Sequence, residues 1–487
     1  MPTLLRLDAD PSAVSPRRSP QGDGHRARAR IPARIPARVV VVSLMLAGCA
    51  GRPCESEAQD PAAPSAPSTS DKTPNPREPA RHSGAIETAG STGSPQTIAI
   101  ETRLDEPAGP LPDDYLAFSR ACDRGTREIT IAAVGDLLIH RELQKQAFRS
   151  PTHFRDLWSG VEGLISAADV SYANLEGPTA QGIDRRGNPR KDPGMVFDNR
   201  VYSGYARFNY HPILVADLVT SGFDIVSTAN NHSLDRGPLG VDRTIDTLVA
   251  AKLPYTGTRR QDQQSAPWHA ITHVEGITIA WLACTLHTNY QEDALGQVLR
   301  CFDDPKTMPR LVRKLARRKD IDAVIVTPHW GKEYKHEPIA KQRRLAQAVI
   351  DAGAIAVIGS HPHVLQPWEK MTASDGREAL TMFSLGNFAS HQRDLPRRSS
   401  VVLYLGLTQG EDGTVWVNGA RYVPITVRME GNKANFFVER VDAQSGPREV
   451  YEHIEGLMGA PNRADESIGA GAPPRTNPQC YSGFTTP

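Results

Sequence analysis

The chain has 487 residues, 56 Lys plus Arg against 55 Asp plus Glu, 39 Gly and 39 Pro, with a mean hydropathy of -0.41. That balance excludes a polytopic membrane protein, and a net charge of +1 leaves no global field to gather nucleic acid or acidic lipid. Length alone allows two to four domains at roughly 150 residues each, but two stretches poor in apolar residues leave one large folded domain as the expectation.

Residues 1–48 hold eight Arg and three Asp and close on an apolar run from Val39 to Ala47. The run is too short to span a bilayer and leads into Leu46-Ala47-Gly48-Cys49, which resembles a bacterial lipoprotein signal. The resemblance implies cleavage before Cys49, acylation of that residue, and an extracytoplasmic protein lipid-anchored to a bacterial membrane, in the periplasm or at the cell surface. A cleaved secretory signal with an incidental cysteine is the alternative. Outside the cytoplasm the remaining cysteines meet an oxidising compartment. Cys122 and Cys480 flank the folded region and would staple its ends, Cys284 and Cys301 would close a loop, and Cys54 makes the count odd; spacing does not fix the pairing. From Gly51 to Pro112 eleven prolines stand among Ala, Ser, Thr and Glu without an apolar period, so residues 49–112 read as an extended tether.

Apolar runs rich in Ile, Val and Ala predict strands at 127–136, 168–175, 223–229, 276–284, 321–328 and 354–359. Three- and four-residue apolar spacing predicts helices at 211–222, 238–252 and 336–353, the last with Pro338 near its start. This alternation signals an α/β sheet. Strands expected at 380–386, 399–408, 413–419 and 434–441 lack long intervening helices, so the sheet finishes with antiparallel, hairpin-linked strands. After about Gly459 the composition again offers little to pack, and 460–487 reads as a flexible tail. The basic run Arg310 to Arg318 carries an apolar stripe of Leu311, Val312 and Leu315 and reads as the solvated face of a helix. With aromatics at 6% and not interleaved with basic residues, nucleic acid is not an expected partner.

Five of the 15 histidines fall just past an apolar run: His140, His232, His329, His361 and His363. With Asp136, Glu176, Asn230 and Asn231 they would gather along one edge of an α/β sheet, where ligands collect. Gly135 before Asp136 gives a tight exit that lets a ligand approach the backbone. Imidazole plus carboxylate suits Zn, Mn or Fe. Asp136, Glu176, Asn231, His329, His361 and His363 make six donors, more than one open site needs, so two divalent ions fit better than one. His232 is then free as acid or base, and Asp235, three residues on, would orient its ring. Taken singly, each has a plainer reading, such as a helix cap or a buried histidine.

Gly135-Asp136, Asn174-Leu175-Glu176-Gly177, Ala229-Asn230-Asn231-His232 with Asp235 and Gly237, His329-Trp330-Gly331-Lys332-Glu333, Gly359-Ser360-His361-Pro362-His363 and Ser384-Leu385-Gly386-Asn387-Phe388 together resemble the bacterial CapA family, over about residues 127–440. That family, linked to capsule and poly-γ-glutamate synthesis, is similar to calcineurin-like metallophosphoesterases. The resemblance implies a four-layer α/β/β/α sandwich. It makes Asp136, Asn231, His329, His361 and His363 metal ligands, Glu176 the bridging carboxylate and His232 the proton-handling histidine. Two departures stand out: Leu138 occupies a position where the superfamily has histidine, with His140 a candidate substitute, and Glu176 replaces an aspartate. Lys332 and Glu333 would touch substrate or merely solvate a loop, and Asn387 would be a turn residue or a substrate ligand.

The expectation is therefore a metal-dependent hydrolase or transferase acting on a surface polymer such as poly-γ-glutamate or capsular polysaccharide, alongside capsule synthesis and export proteins. A non-catalytic accessory protein that binds the growing polymer is the rival, and a phosphodiesterase for a small phosphate ester is a third reading.

Overall fold

The computed structural model describes residues 102–431, 435–464 and 472–484. Cys49, Cys54, the expected signal segment and most of the expected tether lie outside them. Strands follow in the order β1 (Arg127–Leu137), β2 (Val170–Leu175), β3 (Ile225–Ser227), β4 (Tyr255–Thr256), β5 (Ala270–Val274), β6 (Ile277–Thr285), β7 (Ala323–His329), β8 (Ala356–Ile358), β9 (Leu365–Thr372), β10 (Glu378–Leu385), β11 (Asn387–Ala389), β12 (Ser399–Gln409), β13 (Val415–Glu430) and β14 (Asn435–Arg440). The α-helices are α1 (Arg141–Ala147), α2 (Glu162–Ser166), α3 (Ile213–Thr220), α4 (Gly237–Ala250), α5 (Thr307–Ala316), α6 (Ala340–Asp351), α7 (Leu395–Arg398) and α8 (Arg448–Met458). Among the described residues no helix is long and apolar enough to cross a membrane.

The strands form two sheets, so the fold is mixed α/β. One sheet runs β14-β13-β12-β1-β2-β3-β4 with β11 also paired to β1; the other runs β5-β6-β7-β8-β10-β9. In the first, β1 through β4 are parallel and β12 to β14 add antiparallel strands, as their short connections require. In the second, β6, β7, β8 and β10 are parallel, with β5 and β9 antiparallel at the edges. Neither edge strand was legible as an apolar run, because each buries only part of its surface.

One apolar cluster joins the sheets, drawing Ile131 and Tyr172 from the first and Trp281 and Ile325 from the second. The rings of Tyr172 and Trp281 stack with centroids 5.5 Å apart. A second cluster lies between the first sheet and α3 and includes Val226, Leu214 and Leu218. A third packs Val312, Leu345 and Val349 of α5 and α6 on Val324 and Val357. Each such side chain contributes about 1.5–3 kcal/mol on burial.

Sequence explains the helices' limits. In α6 the apolar residues Leu345, Ala346, Val349 and Ile350 recur on one buried face. The helix starts at Ala340 rather than 336, because Ile339 is extended (ψ 154°) and its N–H is taken by the Gln342 side chain at 2.9 Å. It ends before Gly353, which turns at φ 120°. α5 confirms the amphipathic reading of the basic run: Met308, Val312 and Leu315 are buried and the charged residues face outward.

The carboxyl-terminal residues differ from expectation. Residues 472–484 are not loosely packed but form a clasp over residues 102–122. A disulfide joins Cys122 to Cys480, the Leu104 N–H donates to the Cys480 carbonyl at 2.7 Å, the Tyr115 hydroxyl donates to Gln479 Oε1 at 2.7 Å and the Asn477 amide donates to the Ala121 carbonyl at 2.9 Å. Long-range backbone hydrogen bonds and a covalent staple do here what apolar periodicity does elsewhere. They also hold residues 102–112, which composition had assigned to the tether. Cys284 and Cys301 form the second disulfide.

Candidate metal centre

The carboxyl-terminal ends of parallel strands from both sheets supply the site. β1 carries Asp136, the turn after β2 carries Glu176, the segment after β3 carries Asn231 and His232, β7 ends on His329, and the turn after β8 carries His361 and His363. All are buried. The two edges meet because the chain leaving β10 turns at Gly386 (φ 71°) and pairs β11 with β1, Asn387 standing opposite Asp136. Gly135 permits this closure. A Cβ there would lie 1.9 Å from the Gly386 carbonyl oxygen, so the glycine is needed for this close approach of backbone to backbone.

Asp136 is fixed by a chain of hydrogen bonds that begins in the core between the sheets. The Tyr172 hydroxyl donates to Ser227 Oγ at 2.9 Å, Ser227 Oγ donates to Asn174 Oδ1 at 2.7 Å, and Asn174 Nδ2 donates to Asp136 Oδ1 at 2.7 Å. The other carboxylate oxygen, Oδ2, accepts the His361 N–H at 3.3 Å and lies 3.2 Å from His363 Nδ1. His361 and His363 both adopt positive φ, 98° and 58°, conformations that cost non-glycine residues of order 1–3 kcal/mol and concentrate where function needs them.

Two groups of donors share Glu176. Among the described residues, Asp136, Glu176 and His363 each bring a ligand atom within 4.8 Å of the others, a group with the chemistry to hold a metal ion. On the other side His329 Nε2 lies 3.0 Å from Asn231 Oδ1, 3.1 Å from His361 Nδ1 and 3.6 Å from Glu176 Oε1. Donors about 2.1 Å from a shared cation stand about 3 to 3.4 Å apart, a range that the Asn231 and His361 contacts of His329 fall in. Both Glu176 carboxylate oxygens are buried without any hydrogen-bond partner.

The electrostatics agree. Burial, then the charge of Asp136, pushes the Glu176 carboxyl well above its ordinary range. Burial lowers His329 and His361 well below the usual histidine value, reinforced by neighbouring imidazoles. Burial acts the same way on His363, but Glu176 and the hydrogen-bonded Asp136 outweigh it and raise that ring to about 9. These are the signs expected of anionic and neutral donors crowded together without a cation.

His232 and Asp235 come together as their spacing implied. His232 Nδ1–H donates to Asp235 Oδ2 at 2.8 Å, and the same oxygen accepts the Phe208 N–H at 2.6 Å. The Phe208 ring packs edge-on against His232 at 4.8 Å. Next to them Arg236 is wholly buried and donates to the carbonyls of Val201 and Ile183, tying down the long loop between β2 and α3. Asn230 plays a local part, accepting the His232 N–H and donating to the Leu175 carbonyl.

His140 does not join the donors. Its Nδ1 faces the Leu138 carbonyl at 2.9 Å and the His391 N–H at 3.2 Å, and Leu138 itself is buried. Asn387 is a buried partner of the site: its Oδ1 stands 3.0 Å from His363 Nδ1. Lys332 and Glu333 are exposed. Ser227 lies in the expected strand 223–229 and Ser360 in the Gly359–His363 motif, but neither was singled out as a partner of the site, and His287 lies in no marked run. Ser360 Oγ lies 2.9 Å from His329 Nδ1, and the His287 ring packs on His361 at 5.4 Å.

Known proteins resemble this chain over the same region. The capsule biosynthesis protein CapA of Bacillus anthracis is 26% identical over 277 residues, covering 55% of this chain and 61% of that protein. The PGA biosynthesis protein CapA of Bacillus subtilis (strain 168) is 26% identical over 286 residues, covering 58% of this chain and 69% of that one. The chain thus spans under two thirds of the first relative's length. A solved structure described as GAP50, the anchor in the inner membrane complex of Plasmodium, matches 72% of this chain and 99% of its own at 13% identity and a TM-score of 0.27, a level that carries no argument. The family model for the bacterial capsule synthesis protein PGA_cap matches residues 130–392, more than half of the chain and the whole of the site, and the chain belongs to that family.

Proposed function

We propose that this protein acts in the synthesis, anchoring or export of a capsule or poly-γ-glutamate-like surface polymer, through a metal-assisted hydrolase or transferase centre. The observation that carries the reading is Glu176, a buried carboxylate with both oxygens unpartnered between two sets of donors. The fit favours two divalent ions, Mn, Fe or Zn, one toward Asp136 and His363 and one toward Asn231, His329 and His361, with Glu176 shared. Such ions would supply Lewis acidity for developing negative charge and a water of lowered pKa. His232 contributes the proton chemistry: Asp235 holds the proton on Nδ1, leaving Nε2 to take or give one. The Tyr172-Ser227-Asn174 chain keeps Asp136 in place. Three apolar clusters, one between the sheets and one outside each, support the four-layer α/β/β/α reading. Two disulfides suit an oxidising, extracytoplasmic setting, and anchoring would come from lipid on Cys49.

Leu138 favours a second reading, a non-catalytic polymer-binding accessory, because it puts a buried apolar side chain where a further ligand is expected. Metal analysis of the purified full chain, with turnover of capsular polymers by wild type and His232→Ala, decides between them. About two equivalents of metal and turnover lost in His232→Ala support the enzyme. Turnover undiminished after metal removal would overturn it.

A further inference from the structure

Three of the 12 tyrosines are exposed: Tyr205 at 77%, Tyr290 at 101% and Tyr334 at 46%. Each lies on a different loop leaving the carboxyl-terminal end of a parallel strand, β2, β6 or β7. Each of these loops also has a ring packed against a site histidine. Tyr334 lies 6.1 Å from the His363 ring. Tyr205 lies 6.3 Å from Phe208, which packs on His232. Tyr290 follows by three residues His287, which packs on His361. Each loop also carries or contacts an arginine. The Arg397 guanidinium sits 4.7 Å over the Tyr334 ring. Arg207 is two residues from Tyr205, and Arg300 donates to the Leu286 carbonyl and to Thr288 Oγ1 in the Tyr290 loop. Asp394 and Asp303 engage Arg397 and Arg300 in part, and each guanidinium retains further donors.

We infer that these loops form a grip for an extended anionic polymer, in which tyrosine rings pack against successive units and the arginines meet their carboxylates. The inference rests on the reading of this site as one that handles a surface polymer, and it adds where units remote from the reacting bond are held. A monomer at the histidines reaches few of these rings, whereas a chain of repeating units engages several loops at once and gains affinity by effective concentration. Rigid, amphipathic tyrosine is suited to this, since its ring packs while its hydroxyl stays wet.

The test is calorimetric binding of γ-linked glutamate monomer, pentamer and decamer to the full chain, with phosphatidylglycerol vesicles as a separate arm. Affinity should rise with length and weaken with salt. A variant carrying Tyr205→Ala, Tyr290→Ala and Tyr334→Ala should lose about tenfold or more for the decamer, while triple Tyr→Phe loses little; all three side chains are exposed, so the fold is expected to persist and an unchanged melting profile checks it. Equal affinity for all lengths, or decamer binding unaffected by the alanines, would overturn the inference. Vesicle binding that the alanines abolish while decamer binding stays intact would overturn it too, in favour of a membrane-facing rim. His361→Ala should lower metal uptake while retaining the decamer; a wild-type chain that binds the decamer through these tyrosines yet takes up no metal sinks the catalytic reading alone.

Discussion

His329, the last residue of β7, holds its Nε2 3.6 Å from Oε1 of Glu176, which follows β2 in the other sheet. The donors are therefore an inter-sheet assembly, and their approach depends on the crossing of β11 onto β1. Neither Glu176 oxygen has a hydrogen-bond partner, the nearest rings, His329 and His363, standing 3.6 and 3.8 Å from Oε1, and burial holds its carboxyl well above the ordinary value. A carboxylate kept for stability would be paired. Glu176→Gln should consequently leave the denaturation midpoint of the metal-free protein unchanged or raised, while metal uptake, on the proposed reading, falls by one equivalent or more. Loss of midpoint with metal retained would mark a structural carboxylate instead.

Gly135→Ala tests the closure. The new Cβ would meet the Gly386 carbonyl carbon and oxygen, which are backbone and cannot swing aside. Overpacking typically costs 1–3 kcal/mol, and against fixed backbone about 3 kcal/mol or more is expected. Equilibrium denaturation should show this loss. A stable variant would mean that β1 and β11 can separate without harming the fold.

Most site residues were legible because parallel strands put polar residues directly after buried apolar runs, and Asp136, His329 and His361 each follow one. The supporting groups were not. Ser227 looks like an ordinary strand residue, and Asn174, though part of the Asn174–Gly177 motif, shows its supporting role only in the relay from Tyr172 to Asp136, while His287 is recognisable only through its ring contact with His361. The same limit hid β5, β9 and α8, whose single packed faces are dictated by neighbours remote in sequence. It also hid the rest of the clasp at 472–484 beyond the Cys122–Cys480 staple that the cysteines allowed, because Pro, Asn and Gly carry no period there and order comes from groups remote in sequence, such as the Tyr115 to Gln479 bond.

The clasp makes a separate prediction. Cys122 and Cys480 are 358 residues apart, against 17 for Cys284 and Cys301. In the chain-entropy account a cross-link stabilises more as its loop lengthens, from about 3 kcal/mol for a 15-residue loop to about 4.7 kcal/mol for 100 residues. Cys480→Ala should lower the denaturation midpoint more than Cys301→Ala, and should be the variant that exposes residues 472–484 to limited proteolysis. Equal losses with the clasp still protected would assign its order to hydrogen bonding alone.

Asp217 gives a pH-dependent outcome away from the metal donors. It lies buried on α3, accepts the Phe154 N–H at 2.8 Å and has His153 Nδ1 4.0 Å away. Burial raises its carboxyl to about 6 from 3.8, against the opposing pull of the Phe154 hydrogen bond and of His153. Because the folded state binds this proton more tightly than the unfolded chain, its favourable contribution is complete below about pH 4, declines as pH rises through 6 and stays lost above it. At 1.36 kcal/mol per pKa unit the difference is about 2–3 kcal/mol. Asp217→Asn keeps an acceptor for Phe154 without the charge. It should raise the denaturation midpoint at pH 8 and lose that advantage at pH 4. An advantage that is equal at both pH values would show that charge burial at this position does not limit stability.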